Sequence, residues 1–195
     1  MGPIGPIRCP KKRPLILPHL ANHPHAMKFL STLFAFAALT TFTFADPLTV
    51  GSPAPTLSGK DQEGKQISLA DVYAKGITLV YFYPKAATPG CTKQGCSLRD
   101  KWSDLSAKGI QVVGVSGDNA DDQKKFHDTQ KFPFPLIADD DGKVGAAFGV
   151  PEMKSHIYKR TSFIVKDGKI AWTMTDKTTT ETHAADVLKA VEGLK

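Results

Sequence analysis

Cysteine is scarce in this chain: 195 residues hold three, Cys9, Cys91 and Cys96. Only two of them fall after residue 45, beside histidines at 127, 156 and 183 that keep no ligand spacing. A metal centre has little to be built from. The chain has no Cys-x-x-Cys, which counts against a dithiol disulfide reductase. No cysteine stands near residue 46, so there is no attachment point for lipid there. No acidic residue precedes Asp46, whereas Arg8, Lys11, Lys12, Arg13 and Lys28 do. The formal net charge of +6 therefore belongs mostly to the front, and residues 46–195 carry twenty basic against nineteen acidic side chains. Without a basic surplus, a nucleic-acid role for that part loses its main support. Residues 46–195 also lack repeats, low-complexity runs and linkers, and read as one domain.

The front reads differently. Met27–Ala45 is MKFLSTLFAFAALTTFTFA: one lysine, an apolar centre, and the small residues Thr43 and Ala45 at the −3 and −1 positions before Asp46. This is the layout of a secretory signal peptide over 27–45. At roughly 17 residues, interrupted by threonines, the apolar stretch falls short of the ~20 that span a bilayer. Uncleaved, it would serve as an anchor; cleaved, it leaves no stable membrane span. Export is the expectation, to the periplasm in a bacterial cell. Residues 1–26 show no periodicity and are expected to be an upstream extension, with Met27 the true start.

Within 46–195, Leu48–Pro55 is an extended lead-in. Thr56–Leu57 and Gln66–Leu69 flank the turn signal Lys60–Gly64, predicting a short hairpin. Ile77–Tyr83 is a continuous apolar run rich in β-formers, as in a strand covered on both faces. Cys91, Leu98, Trp102 and Leu105 recur at helical spacing, and Lys108-Gly109 ends that helix. Ile110–Ser116 is the next buried strand, Asp121–Thr129 a polar helix with Phe126 inward, Phe134–Ala138 a short strand, and Val144–Phe148 a short helix. Thr161–Val165 and Lys169–Met174 flank Asp167-Gly168, a two-residue hairpin signal. Ala184–Leu194 closes the chain as a helix. The βαβ order requires parallel strands in the core, and the last hairpin adds antiparallel ones. The fold class expected is α/β: a thioredoxin-like central mixed sheet flanked by helices, with an N-terminal β-hairpin extension.

Cys91 and Cys96 lie where the first central strand meets its helix. A thiol at a helix N-terminus is easier to ionise, and the thiolate is the reactive form. Five residues along a helix rotate about 500°, so Cys96 stands about 140° from Cys91 and about 7.5 Å further along the axis. A disulfide wants Cα atoms about 4.4–6.8 Å apart. The two thiols can join only if the first turn or two unwinds, and Gly95, a poor helix former, makes that cheaper. A structural disulfide remains a bland alternative, but its small loop gains little entropy. A disulfide reductase, with the wrong spacing, is the other.

The stretch Tyr81-Phe-Tyr-Pro-Lys-Ala-Ala-Thr-Pro-Gly-Cys-Thr-Lys-Gln-Gly-Cys96 resembles the active-site region of the peroxiredoxins, and within the AhpC/TSA family most resembles the bacterioferritin comigratory protein (PrxQ) branch. The family pattern Pro-x-x-x-Thr-x-x-Cys falls on Pro84, Thr88 and Cys91. The branch's resolving cysteine falls on Cys96, and the family's active-site arginine on Arg160. The resemblance runs from about Val50 to the C-terminus and includes Phe132–Leu136. It implies a thiol-dependent peroxidase acting on hydrogen peroxide and organic hydroperoxides, with no metal, haem or flavin. Cys91 would attack the peroxide and become a sulfenic acid. Arg160 would favour the thiolate and hold the peroxide oxygens. Thr88 would hydrogen-bond the thiolate and the peroxide, or cap the helix, and Pro84 would shape and shield the pocket. Cys96 would close an intramolecular disulfide, which a thioredoxin-like or other thiol reductant would reopen. An intramolecular resolver needs no second subunit, so a monomer is expected.

Overall fold

The computed structural model describes residues 47–175 and 180–194. The expected upstream extension 1–26, with Cys9, and the expected signal peptide 27–45 lie outside the described residues. Among those described, no helix is long and apolar enough to cross a membrane.

The hairpin forms from β1 (Ser58–Asp61) and β2 (Gln66–Ser68), paired antiparallel. Its first strand starts two residues later than the sequence pattern implies, while the second starts at Gln66 as expected. The Asp61 carboxylate accepts from the N–H groups of Glu63 and Lys65 at 2.8 and 2.9 Å, so the turn tightens around it. Leu69 leaves the strand because Ser68 Oγ accepts from Asp71 N–H at 3.3 Å and caps α1 (Leu69–Tyr73), a helix the hydrophobic pattern did not announce. The central strand β3 (Thr78–Phe82) is buried at every position.

The single long helix expected after it is two. α2 (Pro89–Asp100) and α3 (Trp102–Ala107) are separated at Lys101, whose φ of −105° and ψ of 16° break the helical path. The apolar stripe survives the break, because Cys91, Leu98 and Leu105 are all buried in one core cluster with Trp102 packed against it. β4 (Gln111–Ser116), α4 (Ala120–Gln130), β5 (Leu136–Ala138) and α5 (Lys143–Ala147) follow in the expected order. A small antiparallel pair joins β6 (Glu152–Lys154), exposed and mostly charged, to β7 (Ile157–Tyr158), whose Tyr158 is buried; the segment carries no strand pattern in the sequence. β8 (Thr161–Lys166) and β9 (Lys169–Thr175) turn at Asp167-Gly168, and α6 (His183–Glu192) ends the described chain.

Seven strands form one mixed sheet in the order β2-β1-β5-β4-β3-β8-β9. β3, β4 and β5 are parallel, while β1 and β8 flank them antiparallel. Side chains of β3 alternate between two cores. Leu79 and Tyr81 join residues of α2, α3, α4 and α6, whereas Val80 and Phe82 join residues of α1 and α5. The thioredoxin-like α/β arrangement is therefore present, with helices on both faces.

Candidate active site

The site begins where β3 runs out. Tyr83 N–H still bonds Val115 O at 3.0 Å, but half-buried Pro84 has no N–H to continue the ladder. The loop that follows is tethered by Asp118: its Oδ2 accepts from Ala86 N–H and from Ser116 Oγ, both at 2.7 Å. Ala87 takes a left-handed φ of 57° and turns the chain into α2. Thr88 is the backbone N-cap, and its side chain makes no capping bond; the hydroxyl donates to Lys85 O at 3.0 Å. Pro89 then occupies the first helical position, where its missing N–H costs nothing.

Cys91 is the third residue of α2 and only 2 % exposed. It lies in the first turn, where backbone N–H groups lack helical partners and favour negative charge. The register Phe82↔Thr161 between β3 and β8 carries Arg160 to the same end of the sheet. Arg160 Nη1 stands 3.4 Å from Cys91 Sγ and donates to Gln94 Oε1 at 2.7 Å. Gly90 makes the approach possible, since a Cβ there would sit 2.8 Å from Arg160 Nη2.

Behind the arginine lies a buried polar chain that the sequence motif does not reveal. Gln94 is fully buried; its Nε2 is 3.3 Å from His183 Nδ1, and His183 Nε2 is 2.9 Å from Ser162 Oγ. Burial, with Arg160's charge as a smaller cause, pushes the His183 imidazole down to about 4. Gln94 is three residues after Cys91, so helical period alone places it on the same face. His183 stands 92 positions downstream of Cys91 in the sequence and carried no local signal.

Cys96 has other surroundings. It is half-buried, and its Sγ donates to Gln130 Oε1 at 3.5 Å. The Phe132 ring lies against Gly95, where a Cβ would come within 2.5 Å of Cζ. Gly95 is thus needed for close packing as well as being a weak helix former. Arg99 Nη1 donates to Gln130 O at 2.7 Å. Both cysteines are free thiols within one continuous helix, so their Cα atoms are further apart than a disulfide spans.

Pro84, Thr88, Cys91 and Arg160 are thus gathered at one end of the sheet, with Cys96 on another face of the same helix. Residues 50–173 match the model of the AhpC/TSA family. The chain is 35% identical over 179 residues to peroxiredoxin Q, chloroplastic, of Sedum lineare, covering 91% of this chain and 94% of that protein. It is 40% identical over 145 residues to peroxiredoxin Bcp of Escherichia coli, covering 71% and 92% respectively. Among solved structures, peroxidoxin BcpB of Mycobacterium tuberculosis aligns with a TM-score of 0.72 at 30% identity, over 76% of this chain and 99% of that one. With a buried cysteine facing an arginine at a helix start, and with these relatives, the chain belongs to the AhpC/TSA family as a peroxiredoxin, a thiol-dependent peroxidase that takes a peroxide and a thiol reductant.

Proposed function

We propose that Cys91 is the peroxidatic nucleophile and Cys96 its intramolecular resolver, acting on hydrogen peroxide and organic hydroperoxides. The observation that carries this reading is Arg160 Nη1 at 3.4 Å from the sulfur of a cysteine buried in the first turn of α2. The Cys91 thiolate attacks the terminal peroxide oxygen, the O–O bond breaks, and the departing alkoxide takes a proton as alcohol or water. The sulfur is left as a sulfenic acid. Arg160 holds the peroxide oxygens while charge passes from sulfur to the leaving oxygen. Thr88, its proton committed to Lys85 O, offers its oxygen lone pairs to the peroxide O–H. Pro84 walls the pocket against water.

Cys96 then attacks the Cys91 sulfenic sulfur, forming the disulfide and releasing water. For this the middle of α2 unwinds and the contacts with Gln130 and Phe132 break. An external dithiol, thioredoxin-like in chemistry, restores both thiols and is itself oxidised. Both partners lie on one helix, so a monomer suffices. The segment Met27–Ala45 supports export with cleavage before Asp46, and Met27 as the start. In an oxidising compartment, re-reduction then becomes the step that depends on a dedicated donor.

Stopped-flow mixing with one equivalent of hydrogen peroxide tests the assignment. Cys91→Ser is expected to abolish fast peroxide loss. Cys96→Ser is expected to keep the first oxidation and to leave a sulfenic acid on Cys91 that a dimedone-type probe labels. Undiminished peroxide loss in Cys91→Ser refutes the nucleophile, and absence of label in Cys96→Ser refutes the resolver.

A further inference from the structure

Arg160 reaches Cys91 from a half-buried position, and what aims it is a chain of three buried side chains. The protons in that chain follow from the arginine outward. A guanidinium has only donors, so the Gln94 atom 2.7 Å from Nη1 is the carbonyl oxygen. The amide nitrogen therefore faces His183 Nδ1, 3.3 Å away, and donates to it. An acceptor Nδ1 carries no proton, which puts the ring hydrogen on Nε2, aimed at Ser162 Oγ at 2.9 Å. Only the neutral Nε2–H tautomer satisfies every member.

We infer that His183 is a positioning residue for the peroxidatic centre: as the neutral Nε2–H tautomer it fixes the Gln94 amide so that its carbonyl anchors Arg160 over Cys91. The inference rests on Cys91 and Arg160 acting as proposed above. Burial, which holds the imidazole uncharged down to about pH 4, agrees with it. So does the packing around the ring. Tyr81 of β3 meets it edge-on at 5.7 Å between centroids, and Arg160 is the charged group that acts on it. A doubly protonated imidazole would turn an N–H toward Gln94. The amide would then flip and present its NH₂ to the guanidinium, donor against donor.

Two measurements on the full chain test this. In protein labelled with ¹⁵N at histidine, His183 at pH 7 is expected to show a protonated Nε2 and a bare Nδ1. The Nδ1–H tautomer would overturn the inference. In single-turnover reaction with hydrogen peroxide, His183→Leu leaves the amide without an acceptor, and the rate is expected to fall at least about tenfold, the worth of a charge-assisted hydrogen bond. His183→Asn, whose side-chain oxygen can take the place of Nδ1, is expected to recover to within about threefold of wild type. Equal rates for Leu and Asn, or a Leu variant as fast as wild type, would overturn it. Should His183→Leu not fold, Ser162→Ala serves instead. It removes the Nε2 anchor, and the ¹⁵N signature is expected to shift toward mixed tautomers; an unchanged signature would contradict the chain. Cys91→Ser is run alongside. Full peroxide loss in that variant overturns the functional reading itself, whereas a dead Cys91→Ser with an indifferent His183→Leu overturns the positioning role alone.

Discussion

Cys91 and Cys96 share one helix, and their surroundings differ in kind. Cys91 is almost wholly buried, faces a cation, and stands in a chain of hydrogen bonds that runs through Gln94 to His183 and Ser162. Cys96 is half-buried and meets the Gln130 amide and the exposed-side Arg99 guanidinium, with an aromatic ring pressed on the neighbouring glycine. The first half of α2 is held by polar contacts that would lose their partners if the backbone moved. The second half is held by the packing of Leu98 and Phe132 and by single hydrogen bonds: Cys96 to Gln130, Arg99 to Gln130 O, and Ser97 Oγ accepting from Ala184 N–H at 3.1 Å. One helix thus joins an end tied into a buried polar chain to a half held mainly by packing, which suits the stationary nucleophile and travelling resolver proposed above.

The largest expected effect breaks the polar side of that contrast. Arg160→Met removes the cation and leaves Gln94 Oε1 unpaired. Peroxide reduction should slow by about two orders of magnitude, the upper worth of a charged hydrogen bond, read by stopped-flow peroxide consumption. On the apolar side, Phe132→Ala empties the space over Gly95. It should cost about 3 kcal/mol in urea unfolding and speed disulfide closure after a peroxide pulse, with Cys91 oxidation unchanged. Slower closure would mean that Phe132 guides Cys96 instead of restraining it.

Acid separates the two halves again. Above about pH 6.5 the His183 imidazole is neutral whether the chain is folded or not, and pH has no hold on stability through it. As pH falls from there toward about 4, the unfolded chain binds a proton that the folded one refuses, so stability declines, by up to about 3 kcal/mol. Urea midpoints across that window should show the slope, and His183→Asn should flatten it. The smallest effect is expected from Gly95→Ala. The added Cβ meets Phe132, and overpacking of about 1–3 kcal/mol is partly offset by about 1 kcal/mol of better helix propensity. Thermal unfolding should show a modest net loss.

How much of this was legible in the sequence depends on the distance over which each contact is made. The order of the main strands and helices, the parallel core and the terminal hairpin are written in local periodicity, whereas the roles of Pro84, Thr88 and Cys91 came through the resemblance of the motif they share. Arg160 could be placed only through the resemblance, since the β3–β8 register that delivers it is a pairing across some eighty residues. Gln94 was within reach, because three residues past a buried cysteine is the same helix face, but a glutamine offers no apolar signal there. His183, Ser162 and Asp118 carried none: their meaning lies in partners far along the chain. The break at Lys101 escaped for the opposite reason, as the apolar stripe continues straight through it.

The claim that one helix holds a fixed thiol and a mobile one is tested most directly by hydrogen–deuterium exchange on the reduced and the peroxide-oxidised protein. With the Cys91–Cys96 disulfide established by mass, amide protection is expected to be lost across residues 95–100 and retained in β3, β4 and β8. Protection kept throughout α2 in the disulfide form would contradict the account.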